Sequence, residues 1–351
     1  MIQKRWIRRT AYVALLAVPV LTAGCGLFSQ QTSKSIDPPP GIETSEDVEG
    51  EPTGLLPGAE ESSKVTVYLQ DGNGYLAPVA VPLALEKNET APQKALEIMV
   101  DQGAFASQLP ENFRALIPQG TQVLSYEYDK ELKVAKVNLS GAFANYNSQD
   151  ERAIVEAITW TLTAMSGIEG VELSIDGEPL TEMPQAAFPI QGKLTRDIGI
   201  NIETADGVSV TNSSPVTLYF SAETVGDEQY YVPVTRLISR SDSKVHAALE
   251  ELIEGPLNKK ALTSVILPDV EVTGIEEKDG VVIVDLQDEA YESGQQIPAE
   301  MLQAVILSLT ENSGADSVQI RINGETNLVD DNNQSYSEPV GRPHHVNALK
   351  S

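Results

Sequence analysis

The sequence predicts an α+β protein made of two tandem homologous domains, each a small mixed or antiparallel sheet packed by two helices, after a signal peptide and a disordered tether. Three observations carry this expectation. Segments of residues 64–190 return in the same order about 150 residues later. Within each copy, stretches with the two-residue period of strands alternate with stretches at the 3.6-residue period of helices. The first 63 residues read instead as an export signal and an acidic, proline-rich stretch. A length of 351 residues accommodates both copies and a tail.

Six collinear matches define the repeat. Val65-Thr66-Val67-Tyr68-Leu69 returns as Val216-Thr217-Leu218-Tyr219-Phe220, and Ala95-Leu96-Glu97 as Ala248-Leu249-Glu250. Leu116-Ile117-Pro118 returns as Ile266-Leu267-Pro268, Val137-Asn138-Leu139 as Val284-Asp285-Leu286, and Thr161-Leu162-Thr163 as Ser308-Leu309-Thr310. Ile175-Asp176-Gly177 returns as Ile322-Asn323-Gly324. Preserved order with drifting offsets is the mark of duplication followed by small insertions and deletions; two copies make a domain pair, not a solenoid.

The elements follow in order. The alternating strand at 65–69, or 216–220, precedes an extended, proline-containing segment, Tyr75 to Pro82 or Gln229 to Ile238, and the two form a hairpin whose prolines suit an edge. A helix opens at Thr90-Ala91-Pro92 or near Asp242-Ser243, buries Leu96 and Met99 or Val245, Leu249 and Leu252, and stops at Gly103 or Gly255-Pro256. Strands near 121–128 and 132–139 have counterparts near 270–276 and 281–286, the latter joined by Lys278-Asp279-Gly280. The next helix carries a stripe of Ile154, Ile158 and Leu162 behind Ser148-Gln149-Asp150-Glu151, which has capping-box spacing. Its counterpart starts at Pro298 and carries Met301, Leu302, Val305, Ile306 and Leu309. A last strand ends at Asp176-Gly177 or Asn323-Gly324, dipeptides that favour a type I′ turn.

The N-terminus is an address. Lys4, Arg5, Arg8 and Arg9 precede the apolar run Ala11 to Leu21, which is too short for a span of about 20 residues. Leu21-Thr22-Ala23-Gly24-Cys25 resembles the bacterial lipobox and holds the chain's one cysteine. That resemblance makes Cys25 the lipidation site and the first residue of the mature protein. Residues 26–63 hold Pro38-Pro39-Pro40, Pro52, Pro57 and eight carboxylates against Lys34, the composition of a solvated tether. The expected partition is residues 1–24 as lipoprotein signal peptide, 25–63 as acylated N-terminus and disordered acidic linker, and 64–190 as the first domain. Residues 191–213 are expected as a linker, 214–345 as the second domain and 346–351 as a C-terminal tail.

Charge and ligand counts exclude several classes. Lys and Arg number 24 against 51 Asp and Glu, a net charge of −27 that deepens to −31 when residues 1–24 leave with their four cations. Such a surface disfavours nucleic acid and anionic headgroups. One cysteine and three histidines cannot furnish a disulfide scaffold or a zinc finger.

Catalytic signatures are absent from the reading. Gly72-Asn73-Gly74-Tyr75-Leu76-Ala77 matches G-x-G-x-x-A, but Pro78 and Pro82 forbid the helix that a dinucleotide site needs, so a hairpin turn is expected. Asp71 and Asn73 begin like a calcium loop, yet Tyr75 and Leu76 stand where a ligand and the glycine belong. Asp330-Asp331-Asn332-Asn333 reads as a solvated loop, Trp160 as core, and His246, His344 and His345 have no nucleophile motif beside them. Asp285, ending a buried-looking strand, is the one weak catalytic candidate, a carboxylate whose pKa burial could raise. Its counterpart Asn138 cannot ionise, so the position is either a hydrogen-bonding one shared by both copies or catalytic in the second alone. No cofactor and no metal are expected.

The lipobox, the acidic tether and the duplicated unit, with its "ALE" helix, "LIP/ILP" turn, "VNL/VDL" strand and "TLT/SLT" helix, resemble the GerM family of sporulation and spore germination lipoproteins. The likeness extends to Glu338-Pro339-Val340 and Arg342-Pro343. It implies two tandem GerMN-like domains, similar to small modules that form rings in secretion-type machines, lipid-anchored at the extracytoplasmic face of the cell membrane. The expected partners are membrane lipid through acylated Cys25 and other exported sporulation envelope proteins met along exposed strands. The alternative is a protein that binds or hydrolyses peptidoglycan of the spore cortex through the Asp285 region.

Overall fold

The structure is a computed structural model that describes residues 64–349 apart from Asn88 and Pro268. All described residues lie in one compact unit. The signal peptide, Cys25 and the tether lie outside the described residues.

The first repeat begins with the antiparallel hairpin β1 (Lys64–Gln70) and β2 (Leu76–Pro82), followed by α1 (Ala91–Ile98). Thr90 caps α1 through Oγ1, which accepts the Gln93 N–H. The helix ends at Ile98, short of the expected Gly103, because Met99 and Asp101 leave it to bond Ile117 on both sides. A mixed sheet follows. β3 (Val123–Asp129) pairs antiparallel with β4 (Val134–Leu139), which pairs parallel with β5 (Gly170–Ile175), and β6 (Glu178–Pro179) closes the order. Helix α2 (Glu151–Thr163) makes the parallel crossover between β4 and β5.

The second repeat runs the same course. Its hairpin is β8 (Ser213–Glu223) and β9 (Gln229–Ser239), its first helix α3 (Lys244–Glu254), its sheet β10 (Glu271–Lys278), β11 (Val281–Gln287), β12 (Ser317–Ile322) and β13 (Val340–Gly341). Helix α4 (Ala299–Ser313) is its crossover. The expected fold class, tandem α+β repeats, is the one observed. Asp279-Gly280, Asp176-Gly177 and Asn323-Gly324 all have positive φ at both positions, as type I′ turns demand.

The repeats agree down to single hydrogen bonds. Pro78 and Pro233 stand opposite Tyr68 and Tyr219, whose N–H groups face away from the hairpin and donate to Thr161 Oγ1 (2.8 Å) and Ser308 Oγ (3.0 Å). The "TLT/SLT" similarity is therefore a side chain on the crossover helix sealing the outer edge of the first strand.

Three expectations need correction. The capping box at Ser148–Glu151 does not form: residues 148–150 make a 3-10 turn, and Asp150, which precedes α2, makes no side-chain cap. Glu151 is instead taken by a loop, its carboxylate accepting the N–H groups of Gln185, Ala186 and Phe188 and the Tyr146 hydroxyl, each at 2.8 Å. Residues 191–213 are no mere linker. Leu194 and Ile200 are buried in a core cluster continuous through both repeats, and β7 (Glu203–Thr204) adds a parallel strand to β9. The expected C-terminal tail, residues 346–351, likewise buries Val346 and bonds both hairpins through Asn347. Leu194 is held by Val171 on β5, Ile200 by Thr235 on β9, and Val346 lies in a smaller cluster with Tyr219 and Leu307, neighbours that only the folded chain supplies.

Candidate functional site

The structure scatters the residues that the sequence singled out. Asp285 on β11 faces Arg321 on β12, with Nη2 donating to Oδ2 at 2.7 Å and Nε 2.6 Å from Oδ1, so both carboxylate oxygens are engaged. At the matching place Asn138 Oδ1 accepts from Gly177 N (2.9 Å) and Ser174 Oγ (3.3 Å), so each repeat uses this position to bind the neighbouring strand. His246 is half-buried beside Glu250, and His345 meets Thr66. The 71–75 segment is a tight turn in which Asp71 accepts from Asn73 N, Tyr75 N and the Tyr230 hydroxyl. Asp330 repeats that pattern with Asn332 N, Gln334 N and the Tyr336 hydroxyl. Among the described residues no group of His, Cys, Asp and Glu could hold a metal ion, and no helix is long and apolar enough to cross a membrane.

What the fold brings together lies at the junction of the repeats. The outer edges of β2 and β9 face each other, bridged by two asparagines with left-handed backbone, Asn201 and Asn347. Asn201 accepts from Leu76 N and donates to Leu76 O (2.7 Å) and Pro233 O (2.7 Å). Asn347 accepts from Tyr231 N and donates to Tyr231 O (2.8 Å) and Pro78 O (2.7 Å). The two clamps are reciprocal: each asparagine bonds the N–H and carbonyl of one residue on one hairpin and the carbonyl of a matching proline, Pro233 or Pro78, on the other. Asn and Asp tolerate positive φ better than other side chains, and here the amide also satisfies strand groups that would otherwise be stranded between two edges.

Five residues before each clamp stands an arginine. Arg196 and Arg342 both reach the Glu311 carboxylate near the end of α4: Arg196 Nη1 lies 2.9 and 2.7 Å from its two oxygens, and Arg342 Nη1 lies 3.0 Å from Oε2. Arg196 Nε also donates to Thr163 Oγ1 and its guanidinium lies over the Trp160 ring at 4.4 Å. Arg342 donates to the matching Thr310, to Leu307 O and to the Tyr219 hydroxyl, and lies over the Tyr219 ring. Burial pulls the Glu311 carboxyl upward, but the two guanidinium groups outweigh it and hold it below the usual carboxylate range. Burial lifts the phenols of Tyr68 and Tyr219, so both stay neutral. An open cavity of about 560 Å³ adjoins this cluster, lined by Tyr68, Thr163, Ala164, Arg196 and Arg342 among others.

The sequence reading missed this junction. The signal was present: Arg196-Asp197-Ile198-Gly199-Ile200-Asn201 and Arg342-Pro343-His344-His345-Val346-Asn347 share Arg, an aliphatic and Asn at equal spacing, and they extend the repeat beyond Asn323-Gly324.

A second feature is open edge. β3 and β10 end their sheets, each with a register shift near its start, Val123/Ser125 and Val272/Gly274. Leu124, Tyr128 and the nearby Leu132 are exposed along the first edge, whereas Glu271, Glu276 and Glu277 charge the second.

Comparison with known proteins follows this architecture. Residues 66–181 and 217–328 each match the family model Germane, "Sporulation and spore germination". The spore germination protein GerM of Bacillus subtilis (strain 168) is 36% identical over 354 residues, covering 95% of each chain. The solved tandem GerMN domains of the sporulation protein GerM from Bacillus subtilis superpose with a TM-score of 0.75 at 37% identity, covering 81% of this chain and 99% of that one. A duplicated domain matched twice, and a relative aligned nearly end to end, leave one conclusion: the chain belongs to the Germane family of sporulation and spore germination proteins, as a tandem GerMN protein.

Proposed function

We propose that the protein is a lipid-anchored, non-catalytic assembly module of the sporulating cell's envelope, tethered through Cys25 at the extracytoplasmic face and joined to other exported proteins by strand addition. The observation that carries this reading is the pair of edge strands, β3 and β10, one per repeat, each paired on one side and held on one compact unit. An edge strand offers a row of main-chain donors and acceptors to a partner strand, and the surrounding side chains select which partner. The exposed Leu124 and Tyr128 suit β3 to a partner with apolar side chains, and the carboxylates suit β10 to a basic one.

The test is photo-crosslinking in sporulating cells, with a photoreactive residue replacing Leu124 or Glu276 and, as control, Glu250 on α3. Adducts to an exported protein from 124 or 276 and none from 250 are expected. Absence of adducts at both edges, together with soluble glycan fragments released from spore peptidoglycan by the purified chain, would overturn the reading. The anchor has its own readout: Cys25→Ala moves the protein out of the membrane fraction.

A further inference from the structure

At the junction, residue after residue has a mate in the other repeat: Tyr68 and Tyr219, Thr163 and Thr310, Arg196 and Arg342, Asn201 and Asn347. Glu311 does not. The shared register of Thr161-Leu162-Thr163 and Ser308-Leu309-Thr310 places Ala164 at the equivalent position. Two guanidinium groups are thus neutralised by one carboxylate, and where the second would stand the chain has a methyl group and a cavity. Ala164 and both arginines line that cavity. Among the described residues Arg196 Nη2 and Arg342 Nε have no hydrogen-bond partner, although the other two nitrogens of each guanidinium do. The two side chains keep about a quarter of their surface exposed, 25% and 27%, as residues facing an open cavity do.

We propose that this cavity is a binding site for a carboxylate ligand, which takes the place of the missing second glutamate. The guanidinium fork matches a carboxylate in shape and charge, and in a partly desolvated site such a pair is roughly twice as strong as a neutral hydrogen bond. The lining says more about the ligand. Asp197 and Glu169 also border the cavity, and although Glu169 is paired with Lys133 at 2.7 Å, they would repel a dianion. A ligand with one carboxylate and one cationic group satisfies both, with its carboxylate on the arginines and its ammonium toward Asp197. The ligand class is therefore a small zwitterion, either a free amino acid or the end of a short peptide. A volume of about 560 Å³ lies within the span of roughly 300–1,000 Å³ typical of small-molecule sites.

Calorimetric titration of the purified chain tests this with glycine, triglycine, C-terminally amidated triglycine and acetate. Binding of glycine or triglycine, with the amidated peptide silent and acetate weaker, is the expected result. Glycine alone assigns a free amino acid, and triglycine alone a chain terminus. Ala164→Glu supplies the absent carboxylate from within, so it should weaken binding about tenfold or more and raise the thermal midpoint. Arg342→Gln should weaken binding to a similar degree while leaving the amidated peptide silent. No heat from glycine or triglycine, equal binding of the amidated peptide, or a lowered midpoint for Ala164→Glu would each overturn the proposal.

Discussion

At the residue scale, a few polar side chains do what apolar packing cannot: they satisfy main-chain groups that the fold leaves without a strand or helix partner. Glu151 is the clearest. Burial pushes its carboxyl up, yet the N–H groups of Ala186, Phe188 and Gln185 and the Tyr146 hydroxyl together outweigh that and hold its pKa below the ordinary 4.5. A carboxyl depressed in the folded state contributes stability that is fully present above its unfolded value and is lost as the pH falls. Glu156 behaves oppositely, because burial raises its pKa more than Arg152 lowers it, so only a difference measurement isolates Glu151. Glu151→Gln should cost on the order of 2 kcal/mol at neutral pH, since three loop N–H groups lose a charged acceptor. Chemical denaturation of both proteins should find that difference constant above pH 4.5 and shrinking as the pH falls below it. A difference independent of pH would sink the assignment.

At the scale of elements, glycines separate free turns from a packed strap. Gly177 and Gly324 have φ of +88° and +82°, and a Cβ added at either would meet nothing within 4 Å. Alanine there should cost about 1 kcal/mol each, the strain of a left-handed residue with a side chain. Gly199 also has positive φ, but its Cβ would lie 2.9 Å from Ile202 Cδ1 and 3.2 Å from Thr235 Cγ2, and its carbonyl accepts the Trp160 indole N–H. Gly199→Ala should therefore cost at least twice as much in urea midpoint as Gly177→Ala. Equal costs would mean that the 196–201 strap is not held against β9.

The same contrast explains what was legible beforehand. Turns such as Asp279-Gly280 and stripes such as Ile154-Ile158-Leu162 obey local rules, so they could be read from sequence. The strap could not, because Ile200 is held by bonding Thr235 on β9 and Asn201 by bridging to Leu76 on β2, partners 35 and 125 residues away. The capping box failed for a related reason. The spacing of Ser148 and Glu151 is local, but the Gln185–Phe188 loop that claims the carboxylate lies 34 to 37 residues away. At Asp285 the sequence left a structural and a chemical reading open, and the Arg321 that occupies both its oxygens was invisible until β11 and β12 were known to be parallel neighbours in register.

At the scale of the whole molecule, the question is what makes two copies of a domain one body. One apolar cluster runs through both repeats, and the segment that follows each repeat returns to lock β2 against β9. The two strands are bridged by asparagine amides, so the cohesion has an identifiable polar part. Each clamp makes three side-chain hydrogen bonds to main-chain groups, and Leu76 is only 1% exposed, so its N–H and carbonyl have no water to fall back on. Removing one amide should cost about 3 kcal/mol, from lost bonds and from the polar groups left stranded. Because Asn201 and Asn347 hold the same pair of edges, their effects should not add: the second loss leaves the apolar contact alone to keep the repeats together. Urea unfolding of the parent chain, followed by far-ultraviolet circular dichroism and by the fluorescence of Trp160 in the first repeat, should give one coincident transition. In Asn201→Ala/Asn347→Ala the two probes should part, with the Trp160 signal and the ellipticity reporting repeats that unfold in separate steps. Coincident transitions in the double variant would show that the apolar cluster alone unites the repeats, and the clamps would then be ornaments of the junction and not its fasteners.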